Sequence, residues 1–214
     1  MSTWPTACTQ PVYLMGTSSI STFRPVFLDA DGVLWRDIGP GSIFEQTARE
    51  SFYKSLSVIS QTFPYSSLFV VSNQTCVARG LFSEKELRSR IEVVCRLESE
   101  DLPALVFSYC PHHPKADDVR FRANCRSRKP FPNQISSLIK SHGLEISESI
   151  MIGDRLTDLA SAESLGIREK YLIANPKAFQ QNEINSEYVW PESIEFQISK
   201  DLEEITLLRN SRRA

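Results

Sequence analysis

The stretch PVFLDADGVL, residues 25–34, decides how the rest of the chain is read. Val26, Phe27 and Leu28 form a short apolar run that stops at Asp29, the pattern of a buried parallel strand delivering a polar residue at its carboxyl end. Gly32 then allows the chain to turn sharply. Two further segments repeat the pattern. Leu68 to Val71 is apolar and ends in Ser72-Asn73-Gln74, and Ser149 to Ile152 ends in Gly153-Asp154. Three strands thus finish in polar residues, and in a parallel sheet all three ends lie along one edge.

The intervening segments read as helices and further strands. Ile43 to Ile59 places Phe44, Ala48, Phe52, Leu56 and Ile59 at helical spacing. Ser83 and Glu86 form a capping box ahead of Leu87, Ile91 and Val94, which starts a second helix near residue 84. Ala104 to Tyr109 is a third strand. Pro132 opens a helix that Gly143 can end, a short helix from Thr157 closes at Gly166, Tyr171 to Ala174 is a fifth strand, and a last helix covers Asp201 to Leu208. The order βαβαβαβαβα predicts an α/β, Rossmann-like parallel sheet with helices on both faces and a ligand site at the carboxyl ends of its strands. Residues 1–24 are rich in Ser and Thr without a period and read as an irregular arm, packed in part through Trp4 and Tyr13. Residues 25–214 form the domain.

Composition narrows the function classes. The chain has 214 residues, with 41% hydrophobic and 23% charged, which excludes bulk disorder. Lys+Arg is 24 against Asp+Glu 26, a balance that argues against nucleic acid or an acidic membrane surface as the main partner. No apolar run reaches the roughly 20 residues of a spanning helix, and no signal-like stretch opens the sequence, so the cytoplasm is the expected location. No heptad seam is present, and a monomer is expected. The cysteines are five (Cys8, Cys76, Cys95, Cys110, Cys125), an odd number that makes no disulfide framework; Cys8, Cys76 and Cys95 read as core or loop thiols.

The strand ends point to phosphate chemistry. Carboxylates from two neighbouring strands can share a divalent cation, and Mg2+ favours few carboxylates plus waters and a phosphate oxygen. Asp29 and Asp154 are the candidate ligands. With repulsion lowered by the cation, Asp29 can attack phosphorus in line and form an aspartyl phosphate. Asp31 is placed to protonate the leaving alkoxide and then to deprotonate water. Ser72 and nearby backbone N–H groups would hold the phosphoryl oxygens, Asn73 is a further candidate substrate-binding residue, and Lys129 would neutralise charge that the metal does not reach.

FLDADGVL (27–34), VVSNQT (70–75), RKP (128–130) and IGDRLTD (152–158) resemble, in this order, the four motifs of the haloacid-dehalogenase-type phosphatases. Within them, SNQTCVARGLF (72–82), YCPHHP (109–114), CRSRKPFP (125–132) and MIGDRLTDLASA (151–162) are similar to the D,D-heptose 1,7-bisphosphate phosphatases and their histidinol-phosphatase relatives. The resemblance implies that Asp29 is nucleophile and Asp31 general acid/base. It also implies that the Asp31 carbonyl and Asp154 complete the Mg2+ ligands with Asp29, and that Asp158 supports the metal waters. Ser72 and Lys129 match the phosphate-binding pair, while Arg79 and Arg128 match basic residues near a second phosphate. The implied substrate is a phosphorylated sugar, foremost a heptose bisphosphate. Alternatives are histidinol phosphate, a nucleic-acid 3′ phosphate, or a non-catalytic member that binds a sugar phosphate or a protein. The segment between Gln74 and Lys129 is too short for a large cap domain and holds a small metal loop instead.

That loop carries Cys110-x-His112 and Cys125-x-Ser127, where the heptose branch has CxH and CxC. Paired soft ligands at this spacing make a closed structural zinc site, but a neutral hydroxyl at Ser127 is a poor fourth ligand. Three outcomes stay open. Zinc is held by Cys110, His112 and Cys125 with His113, water or an outside residue as substitute; or no zinc binds; or Cys110 and Cys125 form a disulfide, which the cytosol disfavours. His113 by itself reads as a loop histidine.

Overall fold

The structure is a computed structural model and describes residues 12–15 (backbone path only), 20–22, 24–97, 102–179 and 188–211. Trp4 and Cys8 lie outside the described residues, as does the side chain of Tyr13. One sheet of seven strands organises the chain: β1 (Val12–Met15), β2 (Val26–Leu28), β3 (Leu68–Asn73), β4 (Leu105–Cys110), β5 (Ile150–Gly153), β6 (Glu169–Ile173) and β7 (Gln197–Ser199). Their order is β1-β4-β3-β2-β5-β6-β7. All neighbours are parallel except β1, which pairs antiparallel with β4.

From β2 the chain first builds outward through β3 and β4, then returns and builds through β5, β6 and β7 on the other side. This reversal makes β2 the topological switch point, the place where open α/β sheets bind ligands. Asp29 leaves β2 at that point.

Among the described residues, six helices complete the fold: α1 (Ala48–Thr62), α2 (Thr75–Ala78), α3 (Glu84–Val94), α4 (Asn133–His142), α5 (Leu156–Glu163) and α6 (Leu202–Ser211). Side chains alternate across a strand, so Val26 and Leu28 point to one layer and Phe27 to the other. The first layer packs Phe52 and Leu56 of α1, Leu87 and Ile91 of α3, and Ile205 of α6. The second packs Ile135 and Leu138 of α4 and Leu159 and Ala162 of α5 against Phe27, Phe69 and Val106. Burial of each such side chain contributes about 1.5–3 kcal/mol against chain entropy.

Local signals account for most boundaries. Ser83 accepts the Glu86 N–H and the Glu86 carboxylate accepts the Ser83 N–H, the reciprocal cap that starts α3. Gly143, with φ +62°, ends α4 in the left-handed conformation.

Four features differ from the sequence reading. Val12–Met15, within the arm read as irregular, is an edge strand of the sheet. The helix expected from Ile43 starts at Ala48, because Gly41 in a left-handed conformation feeds a 3-10 turn over Ser42–Phe44 first. The short helix α2 follows β3, and the three-residue strand β7 extends the far edge. Among the described residues, no helix is long and apolar enough to cross a membrane.

Candidate active site

Asp29, Asp154 and Asp158 come from two adjacent strand ends and the first turn of α5, and each offers a carboxylate oxygen within 4.8 Å of the others. All three are buried. The glycines beside them make the approach possible. A Cβ on Gly32, whose φ is +91°, would lie 2.2 Å from Asp154 Oδ2, and a Cβ on Gly153 would lie 2.4 Å from Asp158 Cβ.

Three buried carboxylates at this distance repel, and a lysine enters the group. Lys129 Nζ donates to Asp29 Oδ1, Asp158 Oδ1 and the Val71 carbonyl, each at 2.7 Å. Those are all three of its donors. Burial disfavours its charge, but the Asp158 and Asp29 carboxylates more than offset that and raise its pKa. Asn73 fixes the lysine's backbone, accepting the Lys129 N–H at 3.0 Å and donating to the Lys129 carbonyl at 3.1 Å. The Asn73 side chain, read from sequence as substrate-binding, is engaged with the main chain of Lys129.

One Lys129 cannot neutralise three acids. Burial, then the charges of Asp29 and Asp158, push Asp154 up to about 9. Its Oδ2 accepts from Asn175 Nδ2 at 3.1 Å, but its Oδ1 is buried without a hydrogen-bond partner. Arg155 Nε, 3.8 Å from that oxygen, is too distant to bond it. An orphaned acidic oxygen next to a second carboxylate is what a hard divalent cation satisfies, so the donor set fits Mg2+. Asp158 differs from the other two. Its Oδ1 is taken by Lys129 and its Oδ2 accepts the Arg155 N–H at 2.9 Å, which suits a supporting role rather than a direct ligand.

Asp31 stands beside this group. Trp35 Nε1 donates to its Oδ1 at 2.6 Å and Gln74 Nε2 to its Oδ2 at 3.0 Å. Burial and the Asp29 charge outweigh these bonds and push Asp31 up to about 7. Gln74 Nε2 also donates to Ser72 Oγ at 2.8 Å, joining the acid to the expected phosphate-holding hydroxyl.

A cavity of about 460 Å³ opens over these groups, and Arg79, Arg128, His113, Arg155 and Lys177 also line it. A cavity of about 530 Å³ between Arg168, Lys170 and Glu195 holds none of these residues. Arg79 and Arg128 form no ion pair among the described residues. Burial lowers the Arg128 pKa, and the charges of Arg155 and Arg79 add to the effect. Arg155 and Lys177 share Asp37, whose Oδ2 accepts from the first at 2.8 Å and from the second at 3.0 Å. Those bonds and the Gly39 N–H hold Asp37 below its usual range despite partial burial.

Asp37, Arg155, Lys177, Trp35, Gln74 and Asn175 carry no role in the sequence reading. Gln74 lies inside the quoted VVSNQT segment, and Trp35 is four residues beyond Asp31. The others meet only through the paths of three loops.

The metal loop brings Cys110, His112 and Cys125 together, with ligand atoms within 4.8 Å of one another. Burial holds His112 below its usual pKa, toward the neutral form that binds metals. Ser127 donates its N–H to Cys125 Sγ at 3.4 Å, and its carbonyl accepts from Gln134. The Cys110–Cys125 disulfide among the sequence alternatives is not formed: Cys110, like Cys76 and Cys95, is a free thiol. Cys125 is disulfide-bonded in this structure. Arg128 NH1 donates to the His112 carbonyl at 3.2 Å, which ties the loop to the cavity.

Comparison with known proteins fits this geometry. Residues 126–175 match the HAD-hydrolase-like family. The D-glycero-beta-D-manno-heptose-1,7-bisphosphate 7-phosphatase of Haemophilus ducreyi is 34% identical over 158 residues, covering 72% of this chain and 85% of that protein. The chain belongs to the haloacid-dehalogenase-type phosphatases. A second relative of the same name, from Salmonella typhi, is 30% identical over 154 residues, with 71% and 81% covered. Among solved structures, the D,D-heptose 1,7-bisphosphate phosphatase from B. bronchiseptica complexed with magnesium and phosphate shares the phosphatase fold. Its TM-score is 0.63 at 22% identity, covering 88% of this chain and 99% of that one.

Proposed function

We propose that this phosphatase removes a phosphate from a heptose 1,7-bisphosphate, with Mg2+ held by Asp29, Asp154 and the Asp31 carbonyl. The observation that carries the reading is the buried, unpartnered Asp154 Oδ1 beside the Asp29 carboxylate. Mg2+, when bound, offsets the repulsion between carboxylate and phosphate and polarises the phosphoryl oxygens.

The chain's own groups divide the remaining work. Asp29 Oδ1 is occupied by Lys129 and by the Ala30 N–H at 2.8 Å, which fixes the carboxylate and leaves Oδ2 as the attacking atom. As Oδ2 bonds to phosphorus, the bond to the sugar oxygen breaks and Asp31 gives that oxygen its proton. Asp31, now ionised, takes a proton from water as the water oxygen attacks phosphorus and the Asp29–phosphorus bond breaks. A group poised near neutrality is suited to both transfers. Trp35 and Gln74 aim it, and Ser72 faces the phosphoryl group. Arg79 and Arg128, which have no ion-pair partner among the described residues, supply charge for the second phosphate, as the names of the curated relatives suggest. Cys110, His112 and Cys125, the last as a thiolate, would hold a structural zinc that positions Arg128 and Lys129.

Phosphate release across heptose 1,7-bisphosphate, hexose phosphates and histidinol phosphate, each with Mg2+, tests the reading. A clear preference for the heptose bisphosphate, abolished in Asp29→Asn, is expected. Preference for another substrate overturns the sugar assignment, and turnover surviving in Asp29→Asn overturns the covalent mechanism.

A further inference from the structure

Asp154 turns one carboxylate oxygen without a partner toward the acidic cluster and the other toward the side-chain amide of Asn175. We propose that Asn175 is a positioning residue for the cation, its amide holding Asp154 Oδ2 so that Oδ1 is the oxygen left for Mg2+. The proposal rests on the Mg2+ reading above and adds to it a residue that fixes the ligand's orientation.

The register of the sheet brings Asn175 there. β5 and β6 run parallel with Gly153 opposite Leu172, so the chain leaving β6 at Ile173 passes beside Asp154. The Ala174 N–H donates to the Ser199 carbonyl at 2.7 Å, which holds this exit against β7. Asn175 then closes a turn on itself. Its Oδ1 accepts the Lys177 N–H at 2.7 Å, and its carbonyl accepts the Ala178 N–H at 3.0 Å. The Ala178 carbonyl in turn accepts the N–H of Leu156, the first residue of α5, at 3.1 Å. The backbone beneath the amide is therefore tied to β7 on one side and to α5 on the other.

The nitrogen of that amide faces acceptors. Asn175 Nδ2 lies 3.0 Å from the Asp154 carbonyl, 3.1 Å from Asp154 Oδ2 and 3.4 Å from the Ile173 carbonyl. Only a donor suits this position, and only an acceptor suits the Lys177 N–H, so the orientation of the amide is determined. Gripping the main chain and the carboxylate of one residue restrains both side-chain torsions of Asp154, which is fully buried. Arg155 Nε, 3.8 Å from Asp154 Oδ1, marks the alternative. A carboxylate freed from Asn175 can turn that oxygen onto the guanidinium and withdraw it from the ion. Partners that hold a ligating carboxylate from behind act in this way on metal affinity.

The test is Mg2+ binding to the full chain by calorimetry, with Tm measured without Mg2+ and at one subsaturating concentration. Asn175→Ala removes the whole amide. Asn175→Ser also removes the donor, but its hydroxyl can still accept the Lys177 N–H and keep the turn. Both variants should raise the Mg2+ Kd by about 10- to 100-fold and gain less Tm from the same Mg2+ concentration. Their kcat should return to the wild-type value once Mg2+ saturates, because Asn175 touches no reacting atom. A purely structural role would lower Tm equally with and without Mg2+ and leave Kd unchanged. That result, in whichever variant folds, overturns the proposal and leaves the Mg2+ reading intact. Failure of both variants to fold, or kcat that stays depressed at saturating Mg2+, also overturns it. Wild type that binds no Mg2+ overturns the Mg2+ reading itself.

Discussion

Among the described residues, two clusters of side chains that could hold a metal ion lie on this sheet, and they are built differently. The acidic cluster at β2 and β5 is assembled from strand ends whose register fixes Asp29 and Asp154 within a few residues of paired backbone. The thiol cluster is assembled from the end of β4 and a loop, and its described residues supply three ligands. Strand ends tolerate no substitute, because the sheet decides where each side chain points. The loop cluster has Ser127, a neutral hydroxyl, where a fourth soft donor would stand.

The contrast can be broken most forcefully at the acidic cluster. Chelation of Mg2+ should abolish phosphate release, with recovery on adding Mg2+ back; activity surviving chelation would remove Asp154 from its role. Asp29→Asn should lower turnover by more than about 10⁴-fold, as loss of a nucleophile does, while circular dichroism stays native. Asp31→Asn should lose about 10²- to 10⁴-fold, the range of general acid/base catalysis, measured as kcat with the bisphosphate. An effect under tenfold would mean that water replaces it.

Smaller effects sharpen the comparison. Asp37→Asn removes the carboxylate that Arg155 and Lys177 share, and should change KM for the bisphosphate more than kcat. Equal changes in both would place Asp37 in the chemical step. Ser127→Cys should alter turnover least of all and increase zinc retention against a chelator; unchanged retention would count against the ligand set of the loop.

The same difference explains what the sequence made legible. β2, β3 and β5 announce themselves as apolar runs ending in Asp29, Ser72 and Gly153-Asp154, and α3 and α4 carry their caps in Ser83, Glu86 and Gly143. β1 did not, because four residues at a sheet edge owe their conformation to the exposed side of β4 and not to a period of their own. β7 is shorter still. In the site, the clustering of Asp29 with Asp154 was readable, since a strand end fixes direction. Trp35, Gln74 and Asn175 were not, because a tryptophan or amide reads as packing or turn until the loop path sets it against a carboxylate. The clasp of the Asn73 amide on the Lys129 backbone was not readable either, because it depends on where the loop carrying Lys129 runs.

Gly32 carries a consequence for anyone who would remodel this protein. Its positive φ and the absence of room beside Asp154 act together, so relieving one leaves the other in force. A library randomised at that codon and selected for phosphate release should return glycine alone, and the inherited turn therefore limits how far the pocket can be redesigned from its nucleophile side.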